Sequence, residues 1–169
     1  MVKSVEAIVA FGGNVGDVLA GFLSAREQLG CVEGLQVLDS SCVYRSPPMG
    51  SAGQADYLNA VISLNVDIQA EALLRHLQRI ETQHGRIRTG EHWGPRTLDL
   101  DLIAYNDTAM QTKSLTLPHP HMHTRMFVLQ PLCDIHPGWR HPVLKQTVRE
   151  LLESLTATGT PFLEEGQAW

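Results

Sequence analysis

The sequence predicts an α+β fold in which helices pack on one face of a mostly antiparallel sheet. Three observations carry this prediction. Short apolar runs end at glycine or proline, longer stretches place apolar residues at helical spacing, and strands and helices follow each other in an order that suits such a sandwich. The chain has 169 residues, enough for one hydrophobic core, and we expect a single domain over residues 1–169.

Four segments have the character of strands, because they are short and either rich in β-forming residues or alternately apolar and polar. Gly12-Gly13 ends the first of them. Pro47 and Pro48 predict a loop between the second and the third, since proline cannot join a central ladder. The predicted strands are residues 5–11, 35–44, 57–66 and 98–105.

Two helices are predicted between these strands and two after them. Asp17 can cap the first helix, which Gly30 ends, and Gly85 ends the second. The predicted helices are residues 18–29, 70–84, 122–132 and 148–155. The first hundred residues thus run strand, helix, strand, strand, helix, strand, which is the order of a ferredoxin-like fold, and the elements after residue 106 elaborate it.

The composition disfavours several classes of partner. The net charge is −5 and the sequence pI is about 5.9, which argues against a nucleic-acid-binding surface. The longest apolar runs are far shorter than the roughly 20 residues of a membrane-spanning helix. We expect a cytoplasmic, monomeric protein with no nucleic-acid or membrane partner. Cys31, Cys42 and Cys133 have neither metal-ligand nor disulfide spacing, and we expect reduced thiols in the core.

Arginine is concentrated in one part of the chain. Of the 13 cationic residues only three are lysines, and five arginines fall between Arg75 and Arg96. The planar guanidinium group matches the geometry of phosphate oxygens. An acidic protein with this local excess of arginine is predicted to contain an anion site.

Asp99 and Asp101 alternate with leucines in the fourth predicted strand. Alternate side chains of a strand share a face, so the two carboxylates project together from Cα atoms about 6.6 Å apart. Carboxylates this close repel each other unless a cation lies between them, and oxygen ligands beside phosphate suit Mg²⁺. The alternative is a half-exposed strand with an acidic face, but the arginine-rich loop before the strand favours the metal site.

That loop, residues 85–97, contains three arginines and a tryptophan: Arg86, Arg88, Trp93 and Arg96. It is either a flap whose cations close over a polyphosphate or a solvated basic loop with its indole packed on the core. Gln78 and Glu81 are three residues apart on the preceding helix and share a face. They either reach the same site or belong to an ordinary polar face.

Two other motifs have functional and structural interpretations. The segment GGNVGD at 12–17 lacks the spacing and the lysine of phosphate-binding loops, so a tight turn from strand to helix is favoured. His119, His121 and His123 alternate as metal ligands can, but two prolines interrupt this stretch. A single histidine in contact with phosphate is therefore favoured over a zinc site.

Together these motifs resemble the 6-hydroxymethyl-7,8-dihydropterin pyrophosphokinase family of folate biosynthesis, in the family's own order. The segments that carry the resemblance are GGNVGD at 12–17, YRSPPMG at 44–50, DYLNAV at 56–61, QRIE at 78–81, RIR at 86–88, HWGPRTLDLD at 92–101, LPH at 117–119 and RMF at 125–127. The chain departs from the family pattern at Thr89, Ser114 and Pro120.

The resemblance implies transfer of pyrophosphate from ATP to the pterin hydroxymethyl group, and it implies a role for each matching residue. Asp99 and Asp101 would hold two Mg²⁺ ions, with Arg86 and Arg96 as the catalytic cations. The implied pterin-binding residues are Ser46, Pro47, Met49, Tyr57, Asn59, Trp93 and Phe127. The implied ATP-binding residues are Gln78, Glu81, Arg88, Leu102, Thr116, His119 and Arg125.

Two other functions stay open on the residues alone. One is a metal-dependent phosphohydrolase that uses the same carboxylate pair, and the other is a nucleotide-sensing module that binds ATP without turnover. The set Tyr57, Asn59 and Phe127 argues against both, because neither function needs a second, planar pocket.

Overall fold

The computed structural model describes residues 4–48, 53–86 and 95–169. The strands are β1 (Val5–Gly13), β2 (Leu35–Ser40), β3 (Tyr44–Ser46), β4 (Tyr57–Val66), β5 (Asp99–Tyr105), β6 (Met110–Gln111), β7 (Thr116–Leu117) and β8 (Glu164–Glu165). The helices are α1 (Val18–Gly30), α2 (Ala70–Gln83), α3 (Met126–Ile135) and α4 (Val148–Ala157), and a 3-10 turn covers Met122–Thr124.

The main sheet is antiparallel at each of its pairings. β1 lies between β5 and β4, while β4 pairs on its other side with β2 and then with β3, and β3 pairs with β8. The order β5-β1-β4-β2 is that of a ferredoxin-like fold, which confirms the predicted class. β6 and β7 form a separate two-stranded ribbon.

Helices cover both faces of this sheet. Ala7, Val9 and Phe11 of β1 pack in one core with α1 and α2, whereas Ile8 and Ala10 pack in a second core with α3 and α4. Because successive side chains of a strand point to opposite faces, β1 contributes residues to both cores. The two helices of the ferredoxin-like unit share a face as predicted, and the later helices cover the opposite face. No helix in the described part of the chain has the length and apolar character to cross a membrane.

Local signals in the sequence explain the helix ends. The side chain of Asp17 accepts a hydrogen bond from the backbone N–H of Ala20, which confirms its predicted role as the N-cap of α1. Gly85 has φ of 81° just after α2, a conformation that favours glycine. Thr147 and Glu150 form a reciprocal capping box at the start of α4.

The prediction of a single strand over residues 35–44 is wrong, because the strand is interrupted between β2 and β3. The Ser41 hydroxyl accepts the backbone N–H of Val61 at 2.9 Å, where a ladder would place a carbonyl. The next N–H, that of Cys42, donates to Asp134 of α3 at 3.1 Å. Side chains therefore replace ladder partners at the break and turn the strand.

Two further predictions need correction. The predicted helix over 122–132 is a 3-10 turn followed by α3, which extends to Ile135, and β6, β7 and β8 were not predicted. The cysteines are free thiols, but Cys31 is exposed, and Cys42 and Cys133 are only partly buried. Cys31 follows α1 and donates its N–H to the last turn of that helix, so it lies outside the core.

The segment 163–169 returns to the sheet, where Leu163 packs against the second core and Trp169 packs against the core shared with α1 and α2. Trp169 lies 5.1 and 5.5 Å from the rings of Phe11 and Phe22, measured between centroids, and its Nε1 donates to the Ser41 carbonyl at 2.9 Å. The guanidinium carbon of Arg26 lies 4.6 Å from the indole centroid. The two phenylalanine rings and the Arg26 guanidinium together hold Trp169 against α1 and β1.

Replacing Trp169 by alanine should remove these contacts. We expect Trp169→Ala to lower the free energy of unfolding by about 3 kcal/mol, the lower end of the range for truncating a packed tryptophan, because Trp169 is only partly buried. Phe162→Ala is a matched control, since Phe162 is 64% exposed and should change stability by less than about 0.5 kcal/mol. Urea denaturation of both variants measures the difference, and equal losses would contradict the assigned packing.

His141 stabilises the turn before α4 in its neutral form. It is buried, and its Nδ1 accepts the backbone N–H groups of Val143 and Leu144 at 3.2 and 3.1 Å. Burial, with a smaller effect of the nearby His123, lowers the pKa of His141 below its usual value. Protonation at Nδ1 would break both hydrogen bonds.

Stability should therefore fall on acidification through His141. The unfolded chain takes up this proton near pH 6.5 and the folded chain only at lower pH, so the unfolded state is favoured as pH drops below about 6.5. His141→Asn retains an acceptor and does not titrate. Between pH 7 and 5 the wild type should lose on the order of 1 kcal/mol more than this variant in urea denaturation. Parallel pH profiles would show that His141 does not contribute.

Candidate active site

A cleft of about 270 Å³ opens on the face of the sheet that α3 covers, near the carboxyl end of β1. Its walls come from β1, β3, β4, β5, the segment after β7, and the start of α3. The lining residues are Ala10, Phe11, Gly12, Ser46, Pro47, Tyr57, Asn59, Arg96, Asp99, Asp101, His119, Arg125, Phe127 and Val128. Ten of the predicted site residues therefore meet in one place.

The register of three strands sets the floor of the cleft. Gly12 of β1 lies opposite Asn59 of β4 on one side and Asp99 of β5 on the other. Neighbouring strands are about 4.8 Å apart, so Asn59 and Asp99 are separated by roughly 10 Å of backbone. A Cβ on Gly12 would lie 3.8 Å from the Asp99 Cβ and 4.0 Å from the Asn59 Oδ1. The glycine thus leaves space between an amide and a carboxylate.

One end of the cleft consists of aromatic rings and this amide. Tyr57 and Asn59 extend from β4, and Phe127 extends from the first turn of α3. The Nδ2 of Asn59 donates to Ser46 Oγ at 2.8 Å and to the Tyr44 carbonyl at 3.4 Å, so the buried amide has a fixed orientation. Aromatic faces beside an oriented amide suit a flat heterocycle with polar edges.

The other end contains the two carboxylates. Asp99 and Asp101 project toward the cleft, while Leu100 and Leu102 are buried in the first core, as predicted from their alternation. Burial raises the pKa of Asp101 to about 6, and the negative charge of Asp99 adds to the rise. The positive charges around Asp101 therefore do not fully offset the cost of burying its ionised carboxylate.

Two arginines, Arg86 and Arg96, lie at the same end of the cleft as the carboxylates. Arg86 donates to both Glu81 and Asp99, and Nη1 of Arg96 lies 2.5 Å from Oδ2 of Asp99. Glu81 is 1% exposed and accepts the backbone N–H of Leu100 at 2.7 Å, and its burial raises the pKa of this carboxyl to about 7. Glu81 thus lies behind the cleft and holds Arg86 from the side of α2.

Asn14 fixes the backbone of Arg96. Its Oδ1 accepts the Arg96 N–H at 2.9 Å, and its own backbone N–H donates to the Arg96 carbonyl at 2.8 Å. Its Nδ2 donates to the carbonyl of Ala55 at 3.0 Å, just before β4. The segment GGNVGD is thus a turn, as predicted, and its asparagine also ties the arginine segment to the segment that leads into Tyr57. This role depends on a contact between residues 82 positions apart, so the local sequence does not indicate it.

His119 is a neutral donor at the wall of the cleft. Burial and the positive charge of Arg125 lower the pKa of His119 to about 4. Its Nδ1 accepts the backbone N–H of His121 at 3.1 Å, so the neutral ring carries its proton on Nε2. Arg125 in turn lies 5.6 Å from the centroid of the Phe127 ring. Both side chains line the cleft and can contact an anion bound near the carboxylates.

The three histidines of the alternating motif do not converge on one point. His121 is exposed, with its ring centroid 6.1 Å from that of His119, whereas His123 packs against His141 with their centroids 6.3 Å apart. Across residues 4–48, 53–86 and 95–169, no three His, Cys, Asp or Glu side chains are grouped as metal ligands.

Asp99 and Asp101 nevertheless fit Mg²⁺. This ion commonly uses one or two protein carboxylates and completes its shell with water and substrate phosphates. The raised pKa of Asp101 indicates a carboxylate whose negative charge a further cation would stabilise. The residue set therefore suits magnesium better than zinc.

The other predicted residues are more distant or not described. Gln78, Leu102 and Thr116 are not among the residues that line the cleft, and the side chain of Leu102 packs in the first core. Three predicted residues lie outside the described part of the chain: Met49, Arg88 and Trp93. Gly12 and Ala10 line the floor and were missed, because only the strand register shows which small residues face the cleft.

Comparison with known proteins agrees with this geometry. A relative from Synechocystis sp., named 2-amino-4-hydroxy-6-hydroxymethyldihydropteridine pyrophosphokinase, is 43% identical over 95% of this chain and 83% of its own length. A relative of the same name from Methylorubrum extorquens is 35% identical over 94% of this chain and 99% of its own length.

The fold is also found in solved structures. A crystal structure of wild-type Plasmodium falciparum HPPK-DHPS with pteroate superimposes with a TM-score of 0.74 at 13% identity, over 92% of this chain and 43% of that one. The chain thus spans less than half of that larger protein. The family model for 7,8-dihydro-6-hydroxymethylpterin-pyrophosphokinase matches residues 8–137. On this match and the identity to the two relatives, the chain belongs to the 7,8-dihydro-6-hydroxymethylpterin-pyrophosphokinase (HPPK) family.

Proposed function

We propose that this protein transfers pyrophosphate from ATP to the hydroxymethyl group of 6-hydroxymethyl-7,8-dihydropterin, giving the pterin diphosphate and AMP in folate biosynthesis. The observation that carries the proposal is that one cleft joins a planar pocket to a carboxylate and arginine cluster. The names of the relatives agree with it.

The pterin, which is the acceptor, would bind at the aromatic end of the cleft. Tyr57 and Phe127 would stack on the two faces of the pterin, and Asn59 would bond its polar edge, with Ser46 and Pro47 beside it. The roughly 10 Å between Asn59 and Asp99 allows the ring to lie on the amide side while its hydroxymethyl group reaches the carboxylates. Met49 and Trp93 complete the proposed pterin-binding set.

The triphosphate of ATP would bind at the end of the cleft that contains the arginines. Arg86 and Arg96 are held by carboxylates there, and neutral His119 can donate its Nε2 proton to a phosphate oxygen. Arg125 offers a further guanidinium group at the cleft wall. The remaining proposed ATP-binding residues are Gln78, Glu81, Arg88, Leu102 and Thr116.

Asp99 and Asp101 would hold magnesium, and two ions are proposed. Bound magnesium supplies charge neutralisation along the triphosphate and lowers the pKa of the acceptor hydroxyl. In the reaction the hydroxymethyl oxygen forms a bond to the β-phosphorus of ATP, the bond from that phosphorus to the α,β-bridging oxygen breaks, and AMP leaves with that oxygen. The hydroxyl proton is released.

The protein's own contribution is positioning and charge. Arg86 and Arg96 would compensate the charge that develops on the phosphoryl oxygens, and Asn14 keeps the Arg96 backbone fixed on both its N–H and its carbonyl. Binding donor and acceptor in one cleft converts the encounter of two substrates into a reaction within one complex.

³¹P NMR of the protein with ATP, Mg²⁺ and 6-hydroxymethyl-7,8-dihydropterin tests the proposal. AMP and a pterin diphosphate should appear only in the complete mixture. ADP or free phosphate without pterin would support the phosphohydrolase instead. ATP binding with no turnover in any mixture would support the nucleotide-sensing module.

Asp101→Asn separates the function of this carboxylate from its effect on the fold. The variant is nearly isosteric and removes a charge that burial opposes, so the free energy of unfolding at pH 8 should be unchanged or higher. Turnover should fall by at least about 100-fold, because a metal ligand is lost. Steady-state assays and urea denaturation measure the two effects.

Asp107→Asn provides the matched control, since Asp107 is exposed in the turn after β5 and should affect neither quantity. Near wild-type turnover in folded Asp101→Asn would exclude Asp101 as a metal ligand.

A further inference from the structure

α3 presents two functional groups on one face. Phe127 and Asp134 are seven residues apart in this helix, which is close to two full turns, so both side chains project in the same direction. Their Cα atoms are about 10.5 Å apart along the helix axis. Phe127 lines the cleft at one end of this face, and Asp134 contacts the sheet at the other.

The contact of Asp134 is made with β3 and the residues before it. The Tyr44 hydroxyl donates to the Asp134 carboxylate, with distances of 2.8 and 3.0 Å to its two oxygens, and the Cys42 N–H donates to Oδ2 at 3.1 Å. Tyr44 is only 3% exposed, so its hydroxyl depends on a protein partner. One carboxylate therefore joins α3 to the break between β2 and β3.

Tyr44 is also next to the amide that faces the cleft. It pairs with Asn59 across β3 and β4, and its carbonyl accepts from Asn59 Nδ2 at 3.4 Å. The same Nδ2 donates to Ser46 Oγ at 2.8 Å, two residues further along β3. A continuous series of hydrogen bonds thus runs from Asp134 through Tyr44 to Asn59 and Ser46.

The two walls of the acceptor pocket come from different layers. Phe127 belongs to the helix layer, while Asn59 belongs to the sheet. β3, with three residues, is the strand through which the described hydrogen bonds link the two. β3 pairs with β4 on one side and with β8 on the other, so its ladder bonds fix it within the sheet but not against α3. The position of β3 relative to α3 therefore depends on its side-chain contacts.

We propose that Tyr44 and Asp134 are positioning residues that set the width of the acceptor pocket, the gap between Phe127 and the Asn59 amide. The pair favours the spacing at which a flat bicyclic ring fits between these walls. It acts on the affinity for the pterin and leaves the ATP end unaffected. This inference rests on the proposed function for the identity of the acceptor.

The physical basis is a population effect. Without the tyrosine hydroxyl, the protein spends only part of its time with the two walls at the binding distance, and the apparent Kd rises in inverse proportion to that fraction. Arg86, Arg96 and Asp99 are held by separate contacts with Asn14, Glu81 and each other, so these three side chains keep their positions.

The test is Tyr44→Phe, which removes one oxygen and keeps the ring. Isothermal titration should give a Kd for 6-hydroxymethyl-7,8-dihydropterin, measured with Mg²⁺ and a non-hydrolysable ATP analogue, that is about three- to tenfold higher than wild type. The Kd of the analogue should change by less than about twofold. Tyr105→Phe is the matched control, since it loses one hydroxyl contact, 2.7 Å to the Ile68 carbonyl, away from the cleft.

A double-mutant cycle with Asp134→Asn completes the test. If the two residues act through one contact, Tyr44→Phe/Asp134→Asn should raise the pterin Kd no more than the stronger single variant. Additive effects, an unchanged pterin Kd in Tyr44→Phe, or an equal rise for Tyr105→Phe or for the ATP analogue would overturn the inference. Wild-type protein that binds the pterin without transferring pyrophosphate would refute the proposed function and leave the comparison of Kd values valid.

Discussion

The register of β1 between β4 and β5 is the constraint on which the site depends. Gly12 is opposite both Asn59 and Asp99, so the buried amide of Asn59 and the first carboxylate lie in one row across the sheet. A slip of one residue would turn every side chain of a strand to the other face, and the leucines of β5 would then enter the cleft. The two cores prevent such a slip, because both faces of β1 are buried against helices.

This arrangement places uncompensated charge in a partly buried site. Burial raises the pKa of Asp101 to about 6 and that of Glu81 to about 7, so the folded protein is not at its most stable with both groups ionised. Arg86 offsets part of this cost by contacting both Glu81 and Asp99. Under the proposed function, the triphosphate and Mg²⁺ would relieve these unfavourable internal interactions.

Sequence reasoning succeeded where the determining signal was local. The range 57–66 and the alternation of Asp99 and Asp101 with leucines follow from the residues within one strand, and the Asp17 cap follows from its neighbours. The assembly of ten predicted residues in one cleft followed from the family resemblance combined with these elements. The individual roles of the predicted residues in binding and catalysis remain proposals.

The failures have a common physical origin in distant partners. The break between β2 and β3 depends on Asp134, which is 92 residues away from Cys42 in the chain. The open floor at Gly12 and the position of Asn14 against Arg96 likewise depend on strands and segments that meet only in the folded protein. Cys31 is an exception, because its exposure follows from its local position at the end of α1.

The segment 163–169 has a consequence for the outer edge of the sheet. β8 pairs with Tyr44 and Arg45, and beyond it the Val43 N–H donates to the Gln167 carbonyl at 3.0 Å. An unpaired edge strand is a template on which another molecule can add a strand, which leads to aggregation. By occupying the backbone donors and acceptors of residues 43–45, the segment leaves the two-residue strand β8 at this edge, and such a short strand is a poor template for intermolecular β-pairing.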